Sequence, residues 1–344
     1  MDAARDPVED LRRIAFLLER AHEATYRVRA FRNAAAAISG RDDLARLAQN
    51  GELRRLKGIG DVTARSVTES LAGQPPAYLQ RLEDEVGGAP VTGPRSTAAG
   101  ATLRAALHGD CHTHSDWSDG GSPIEEMAVT ARDLGHSYVV LTDHSPRLTV
   151  ANGLTADRLR HQLDVVAEIN ERLAPFRILT GIEVDILEDG TLDQEEELLA
   201  ELDLVVASVH SKLRMAAPEM TKRMLTAVAN PHADVLGHCT GRMVTGGRKR
   251  PESQFDADAV FAACAQHGVA VEINSRPERL DPPKRLLRLA VDAGCWISID
   301  SDAHAPGQLD WLAYGCERAV ACDVPTERIV NTRPMDELLA WTRS

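Results

Sequence analysis

Aromatic residues are scarce in this chain, at 4% of 344 residues, so Leu, Val, Ile and Ala must fill whatever core it builds. No run approaches the roughly 18 apolar residues that a membrane-spanning helix needs. The N-terminus, MDAARDPVED, is acidic and lacks the layout of a secretory signal. A cytoplasmic protein without a membrane partner is therefore expected. The six cysteines (Cys111, Cys239, Cys264, Cys295, Cys316 and Cys322) form no CxxC pair, and reduced thiols are expected. Cys111 and Cys239 flank histidines but read as small buried side chains. An excess of positive charge is also missing. The formal net charge is −13, which excludes wholesale coating of nucleic acid. Residues 1–88 carry 14 of the 39 Lys and Arg and 14 of the 52 Asp and Glu, so the whole −13 lies beyond them. If either part approaches phosphate backbones, it is the neutral head and not the acidic body.

What is present is helix first, then alternation. VEDLRRIAFLLERA places Leu11, Ile14, Ala15, Leu17 and Leu18 at amphipathic spacing, and the Ala-rich YRVRAFRNAAAAI favours helix. DDLARLAQNGELRRL and VTARSVTESLAG follow, with the turn KGIGD between them. Residues 87–102 are rich in Gly, Pro, Ser, Thr and Ala and read as a linker. The expected organisation is an all-α head over 1–88, a linker over 89–103 and a second domain over 104–344. In that second domain strand-like runs alternate with helical segments about seven times, each helix ending near Gly or Asn. The alternation predicts an α/β barrel.

The ends of those runs carry the chemistry. LHGDCHTHSDWSDG, YVVLTDH, ILTGIEVD, LVVASVH, ADVLGH and WISIDSDAH each finish in imidazole or carboxylate groups, namely His112, His114, Asp119, His144, Glu183, His210, His238, Asp302 and His304. An open sheet gathers a site at one switch point, whereas a barrel brings every strand end to one mouth. Nitrogen and oxygen donors of this kind suit Mn, Zn or Fe, so a multinuclear metal site is expected. His22, His108, His136, His161, His232 and His267 lack this placement and read as structural or surface residues. Arg242, Arg276 and Arg279 lie just beyond ligand-bearing strand ends, where they could clamp phosphate oxygens, with Lys212 as a further cation.

In the head, Leu56-Lys57-Gly58-Ile59-Gly60 before a helix is a helix-hairpin-helix signal. Its glycines allow a tight turn, and a following helix N-terminus can take a phosphate. Lys57, Gly58, Gly60 and Arg65 are the candidate DNA contacts, with Arg27, Arg29, Arg32, Arg54 and Arg55 nearby.

HTHSDWSDG, TDHS, GIEVDI, SVHS, HCTGR, EINSRPERLD and SDAH together resemble the motif set of the polymerase-and-histidinol-phosphatase (PHP) superfamily of metal-dependent phosphoesterases. The resemblance implies a distorted (β/α)7, TIM-like barrel with three divalent ions (Mn, Zn or Fe). It implies His112, His114, Glu183 and Asp302 at one ion, Asp119, His144 and His304 at a second, and Glu183, His210 and His238 at a third. Asp302, Glu183, His304 and Arg276 are the expected catalytic group. The stretches MTKRMLTAVANP, RPESQFDA, YRVRAFRNAAAAI and LKGIGDVTARSV are similar to the PHP and lyase-like domains of bacterial X-family DNA polymerases. The polymerase core, which needs about 200 residues, has no room between head and barrel, so no polymerisation is expected. The Schiff-base lysine of the lyase falls near Ser66, which cannot form that adduct, and Cys239 stands where a proline is common.

The expected activity is hydrolysis of phosphoesters by metal-activated water, on nucleic-acid ends as a 3′–5′ exonuclease or in 3′-end repair. Alternatives are a phosphatase of small molecules such as histidinol phosphate or a nucleotide monophosphate, and a non-catalytic DNA-binding protein. No obligate protein partner is expected.

Overall fold

The computed structural model describes residues 5–86, 97–246 and 249–343, and the chain divides into two compact units, Met1–Arg95 and Ser96–Ser344.

In the first unit α1 (Pro7–Arg20) begins at Asp6, whose carboxylate accepts the Val8 N–H at 2.8 Å, with Pro7 where no N–H is needed. Its Leu11, Ile14, Ala15, Leu17 and Leu18 stripe is buried, and the helix packs on α2 (Thr25–Ile38). The remaining helices are α3 (Leu44–Gln49), α4 (Asp61–Leu71) and α5 (Ala77–Val86). The chain turns into α4 through Lys57–Gly60. Gly58 has φ +96°, a left-handed backbone that side-chain-bearing residues rarely adopt. The turn therefore needs glycine. Ser66 is buried and donates to the Val62 carbonyl at 3.1 Å, so its hydroxyl is spent inside the helix.

The second unit opens with α6 (Ala98–Ala106), then alternates: β1 (Gly109–Thr113), α7 (Ile124–Asp133), β2 (Tyr138–Leu141), α8 (Ala156–Leu173), β3 (Arg177–Asp185), α9 (Glu196–Leu199), β4 (Leu204–Ser208), α10 (Ala217–Val228), β5 (Val235–Leu236), α11 (Ala257–His267), β6 (Ala270–Asn274), α12 (Lys284–Asp292), β7 (Ile297–Asp300), α13 (Leu312–Val320) and α14 (Met335–Thr342). The seven strands are parallel and pair in chain order, β1 to β7. Helices cover their outer face, and nearly every strand residue is buried.

The barrel closes where β1 meets β7, mostly through side chains. The Cys111 N–H donates to Asp300 Oδ1 at 2.9 Å and the Ser301 N–H to Asp110 Oδ1 at 3.2 Å. Asn331 adds its amide to Asp300 Oδ1 at 2.9 Å and accepts the Ile299 N–H at 2.7 Å. Only past the strands does backbone join backbone, His114 N–H to the Ala303 carbonyl at 2.8 Å. The result is a nearly closed, TIM-like barrel.

One sequence expectation is revised here. Residues 97–103 are not linker but the start of α6. Thr97 caps it, accepting the Gly100 N–H at 3.0 Å, and its own N–H donates to Glu317 of α13 at 2.7 Å. Small residues that read as a flexible segment are here a helix packed closely on a neighbour. The rest of the expected linker, 89–96, lies outside the described residues. Among the described residues no helix is long and apolar enough to cross a membrane.

Candidate metal centre

Parallel strands deliver their C-terminal ends to one mouth, and the nine donors meet there. His112 lies in β1 and Glu183 in β3. The others follow β1 (His114, Asp119), β2 (His144), β4 (His210), β5 (His238) and β7 (Asp302, His304). Glu183 is the hub. Its Oε2 lies 3.3 Å from His112 Nε2, 3.5 Å from His114 Nε2 and 2.9 Å from His144 Nδ1. Its Oε1 lies 3.2 Å from His210 Nε2 and 2.9 Å from His238 Nε2. Asp302 Oδ1 is 3.4 Å from His114 Nε2, and Asp119 Oδ1 stands 3.4 Å from His144 Nε2 and 3.3 Å from His304 Nε2. Three groups have donor atoms within 4.8 Å of one another: His112–His114–Glu183, His144–Glu183–His210 and His114–Asp119–His144–His304.

The residues fit metal ions. Buried atoms of His112 (Nε2), His114 (both nitrogens), His210 (both nitrogens) and Glu183 (both oxygens) have no hydrogen-bond partner among the described residues. Buried polar atoms are ordinarily paired, and lone pairs aimed at a shared space are what cations satisfy. Protonation follows the same charges. Burial alone would lower His112, but Glu183 and Glu272 outweigh it and hold the imidazole well above its ordinary value. Burial would raise the Glu183 carboxyl, and His112, His210 and His144 instead bring it well below the usual range. His114, buried among His304 and His144, is pushed well down. Asp302 takes φ +52°, a left-handed backbone rare outside glycine. Such strain concentrates at functional sites.

Behind the donors stand groups that the run-end pattern does not flag. Glu272 Oε1 meets His112 Nδ1 at 2.6 Å, Asp185 Oδ1 lies 3.6 Å from His210 Nδ1, and Asn274 donates to Asp302 Oδ2 at 3.0 Å. Asp143 organises the loop after β1. Their signal in the sequence is a polar residue interrupting a fully buried run.

Of the four candidate substrate cations, two reach the cluster. Arg276 Nη1 is 3.6 Å from Asp302 Oδ1 and 3.3 Å from His304 Nδ1, and Arg279 Nε is 3.2 Å from Asp302 Oδ2. Arg242 departs from expectation. Its guanidinium donates to the carbonyls of Arg279 (3.1 Å) and Leu280 and pairs with Glu252 at 3.2 Å, so it braces the loop after β6. Lys212 is exposed, with Glu188 4.0 Å away. Cys111 and Cys239 are buried and their thiols pushed well up by burial, which keeps them protonated. In the head, Lys57, Gly58, Gly60 and Arg65 are all exposed around the turn into α4.

Residues 110–276 match the PHP domain family and residues 3–74 a helix-hairpin-helix domain. A protein of Edwardsiella ictaluri named "Probable phosphatase" is 31% identical over 240 residues, 65% of this chain and 90% of the relative. The chain belongs to the PHP family. It is accordingly a metal-dependent phosphoesterase built on the PHP barrel, with a helix-hairpin-helix domain before it. The DNA polymerase/3′-5′ exonuclease PolX of Bacillus subtilis is 39% identical over 237 residues, which are 69% of this chain. The chain spans 41% of that relative's length. Among solved structures, the histidinol phosphate phosphatase of Lactococcus lactis aligns with 63% of this chain and 92% of its own at 17% identity and a TM-score of 0.44.

Proposed function

We propose that this PHP protein uses three divalent ions to hydrolyse phosphoesters at nucleic-acid ends, trimming 3′ ends as in DNA repair. The observation that carries the three-ion reading is Glu183, whose Oε2 faces three imidazoles and whose Oε1 faces two more. His112, His114, Glu183 and Asp302 would hold one ion, Asp119, His144 and His304 a second, and Glu183, His210 and His238 the third. Mn, Zn or Fe suits this nitrogen and oxygen set. Bound there, such ions supply Lewis acidity toward phosphate oxygens and a water acidic enough to act as nucleophile.

The chain's own side chains do the rest. Arg276 Nε is buried without a hydrogen-bond partner among the described residues, whereas Arg279 Nε already stands 3.2 Å from Asp302 Oδ2. The two guanidinium groups are the cations placed to meet non-bridging phosphate oxygens. Both arginines also hold Asp302 in place. Asp119 and His304 form the accessible edge of the cluster, with side chains 36% and 19% exposed against 1% for Glu183. A phosphoester approaches past them. The head supports a nucleic-acid substrate through Lys57, Arg65 and the Gly58–Gly60 turn, where a helix N-terminus and exposed cations suit a backbone phosphate.

Purified protein loaded with Mn²⁺ is expected to shorten labelled single-stranded or gapped DNA from its 3′ end. Glu183→Ala is expected to lose turnover by more than about 100-fold and to release metal, because one carboxylate is shared by two ions. Near-normal turnover with unchanged metal content in that variant would overturn the assignment.

A second reading keeps the chemistry with a small phosphomonoester. The acidic barrel favours it, since the entire −13 net charge lies outside residues 1–88 and repels long polyanions. Intact DNA beside rapid hydrolysis of a small monoester, with little salt dependence, decides for this reading.

A further inference from the structure

Asp143 stands beside the cluster without joining it, and its carboxylate is fully occupied. It is 1% exposed, two residues past the end of β2 and next to His144 in the chain. Its Oδ1 accepts the Ser115 N–H at 2.8 Å and the Ser118 hydroxyl. Its Oδ2 accepts the Ser115 hydroxyl at 2.6 Å and the Gln162 amide at 2.7 Å. Four neutral donors thus fill the four acceptor sites a carboxylate offers.

Three of those four donors belong to the loop that carries Asp119. On one side Asp119 is flanked by Ser118, tied to Asp143. On the other side is Gly120, whose N–H donates to the Ser115 carbonyl at 2.9 Å. Any Cβ at Gly120 would lie 2.6 Å from that carbonyl, so the loop is folded flat on the residue that Asp143 grips twice. Gly121 adds a bond to the His304 carbonyl at 2.7 Å.

The other donors are secured differently. His112 and Glu183 project from strands, His112 and His210 are backed by Glu272 and Asp185, and Asp302 is held by Asn274 and Arg279. Asp119 sits on a loop at the accessible edge. Its position is inherited from the loop, which Asp143 anchors at Ser115 and Ser118 while Asn152 and Arg158 hold it at the Trp117 carbonyl.

We propose that Asp143 is a positioning residue that sets the outermost metal position, built on Asp119, His144 and His304, by gripping Ser115 and Ser118, independently of the two inner positions. This rests on the three-ion reading above. The four hydrogen bonds and the Gly120 contact define what Asp143 controls. His112 and Glu183 on their strands lie outside it, and His114, next to Ser115, is held separately by its N–H to the Ala303 carbonyl at 2.8 Å.

The test is the metal stoichiometry of the full chain after equilibration with Mn²⁺ against a graded series of chelator. Wild-type protein is expected to hold three equivalents. Asp143→Ala should bind one of the three about 10–100-fold more weakly, in the range found for partners behind metal ligands, with the other two unchanged. Ser118→Ala, which removes a single arm, should shift the same ion by less. Asp143→Asn keeps an acceptor for Ser115 and Ser118 and should retain more of that ion than Asp143→Ala. Excess Mn²⁺ should recover turnover in Asp143→Ala with a raised activation constant, which a general loss of stability would not give.

An Asp143→Ala protein that melts cooperatively and keeps all three ions with wild-type chelator resistance overturns the proposal, as does weakening of all three together. If that variant fails to fold, the same two readings on Ser118→Ala decide. A wild-type protein holding fewer than three equivalents overturns the three-ion reading and this inference with it. Three ions in the wild type and no selective loss in the variants sink this inference alone.

Discussion

His136 meets Arg104 of α6, with Nη2 3.0 Å from its Nε2, and its Nδ1 has no hydrogen-bond partner among the described residues. Burial, and after it the charge of Arg104, pulls this imidazole down to about 3. In an unfolded chain it would titrate near 6.5. Its contribution to stability is therefore complete above about pH 6.5 and is lost as pH falls toward 3, because the unfolded chain takes up a proton the folded one refuses. His136→Gln is expected to flatten the fall in melting temperature between pH 7 and pH 4. An unchanged slope would assign acid lability to another group. His210 is buried as well, yet Glu183 and Asp185 outweigh burial and raise it to about 9. The difference between the two histidines is the charge behind each ring. Eight of the nine candidate donors stand out in the sequence because they lie at or just past the end of an apolar run, and Asp119 because it sits in the polar loop after the first of them. Glu272, Asp185 and Asp143 show only as polar residues within buried runs, and their role is not legible because their partners come from elsewhere in the chain: Glu272 meets His112 across 160 positions.

Between elements, buried arginines act as clamps on carbonyl groups. Arg223 of α10 donates to the carbonyls of Ile186 and, at 2.9 Å, Ser211, tying the end of β3 to the residue after His210. Arg318 of α13 donates to the carbonyls of Asn274 (3.3 Å), Asp281 (3.1 Å) and Pro282, enclosing the segment with Arg276 and Arg279. Burial lowers Arg318 to about 10, so it stays charged at neutral pH. Arg318→Ala removes the donor to three carbonyls, of which that of Asp281 keeps the Asn274 N–H, and should cost about 2–4 kcal/mol, with a fall in turnover as Arg276 and Arg279 lose their support. Unfolding curves and kcat/KM together check this, and a stable variant with weak turnover would separate the two effects. Arg242 shows why such clamps are hard to read in advance. An arginine just past a strand end looks the same on paper whether it faces a phosphate or two carbonyls. Helices with an apolar stripe, such as α1, are legible from spacing. The Ala-rich α6 has little stripe, and its helicity depends on Thr97 and on contact with α13.

At the scale of the whole molecule, charge divides the labour. Residues 1–88 are net neutral and the rest carries −13, so the proposed nucleic-acid binding would have to be local, at the Lys57–Gly60 turn and at Arg276 and Arg279. Lys57→Ala with Arg65→Ala should weaken DNA binding across all sequences and reduce the slope of log affinity against log salt by about 1 per residue. Turnover of a small monoester should not change. Equal loss on both substrates would mean that the head acts on folding and not on DNA. The order of elements and the barrel itself were legible from the alternation of runs, but the make-up of its seam was not, because Asp110, Asp300 and Asn331 replace a ladder of backbone bonds. That seam lies directly beneath the metal centre. His112 and His114 come from its β1 side, Asp302 and His304 from its β7 side, and any ion coordinated across them is a cross-link between the first strand and the last. Filling the mouth would thus weld the ring of strands at its thinnest joint, and stripping it with chelator would let the barrel breathe there first.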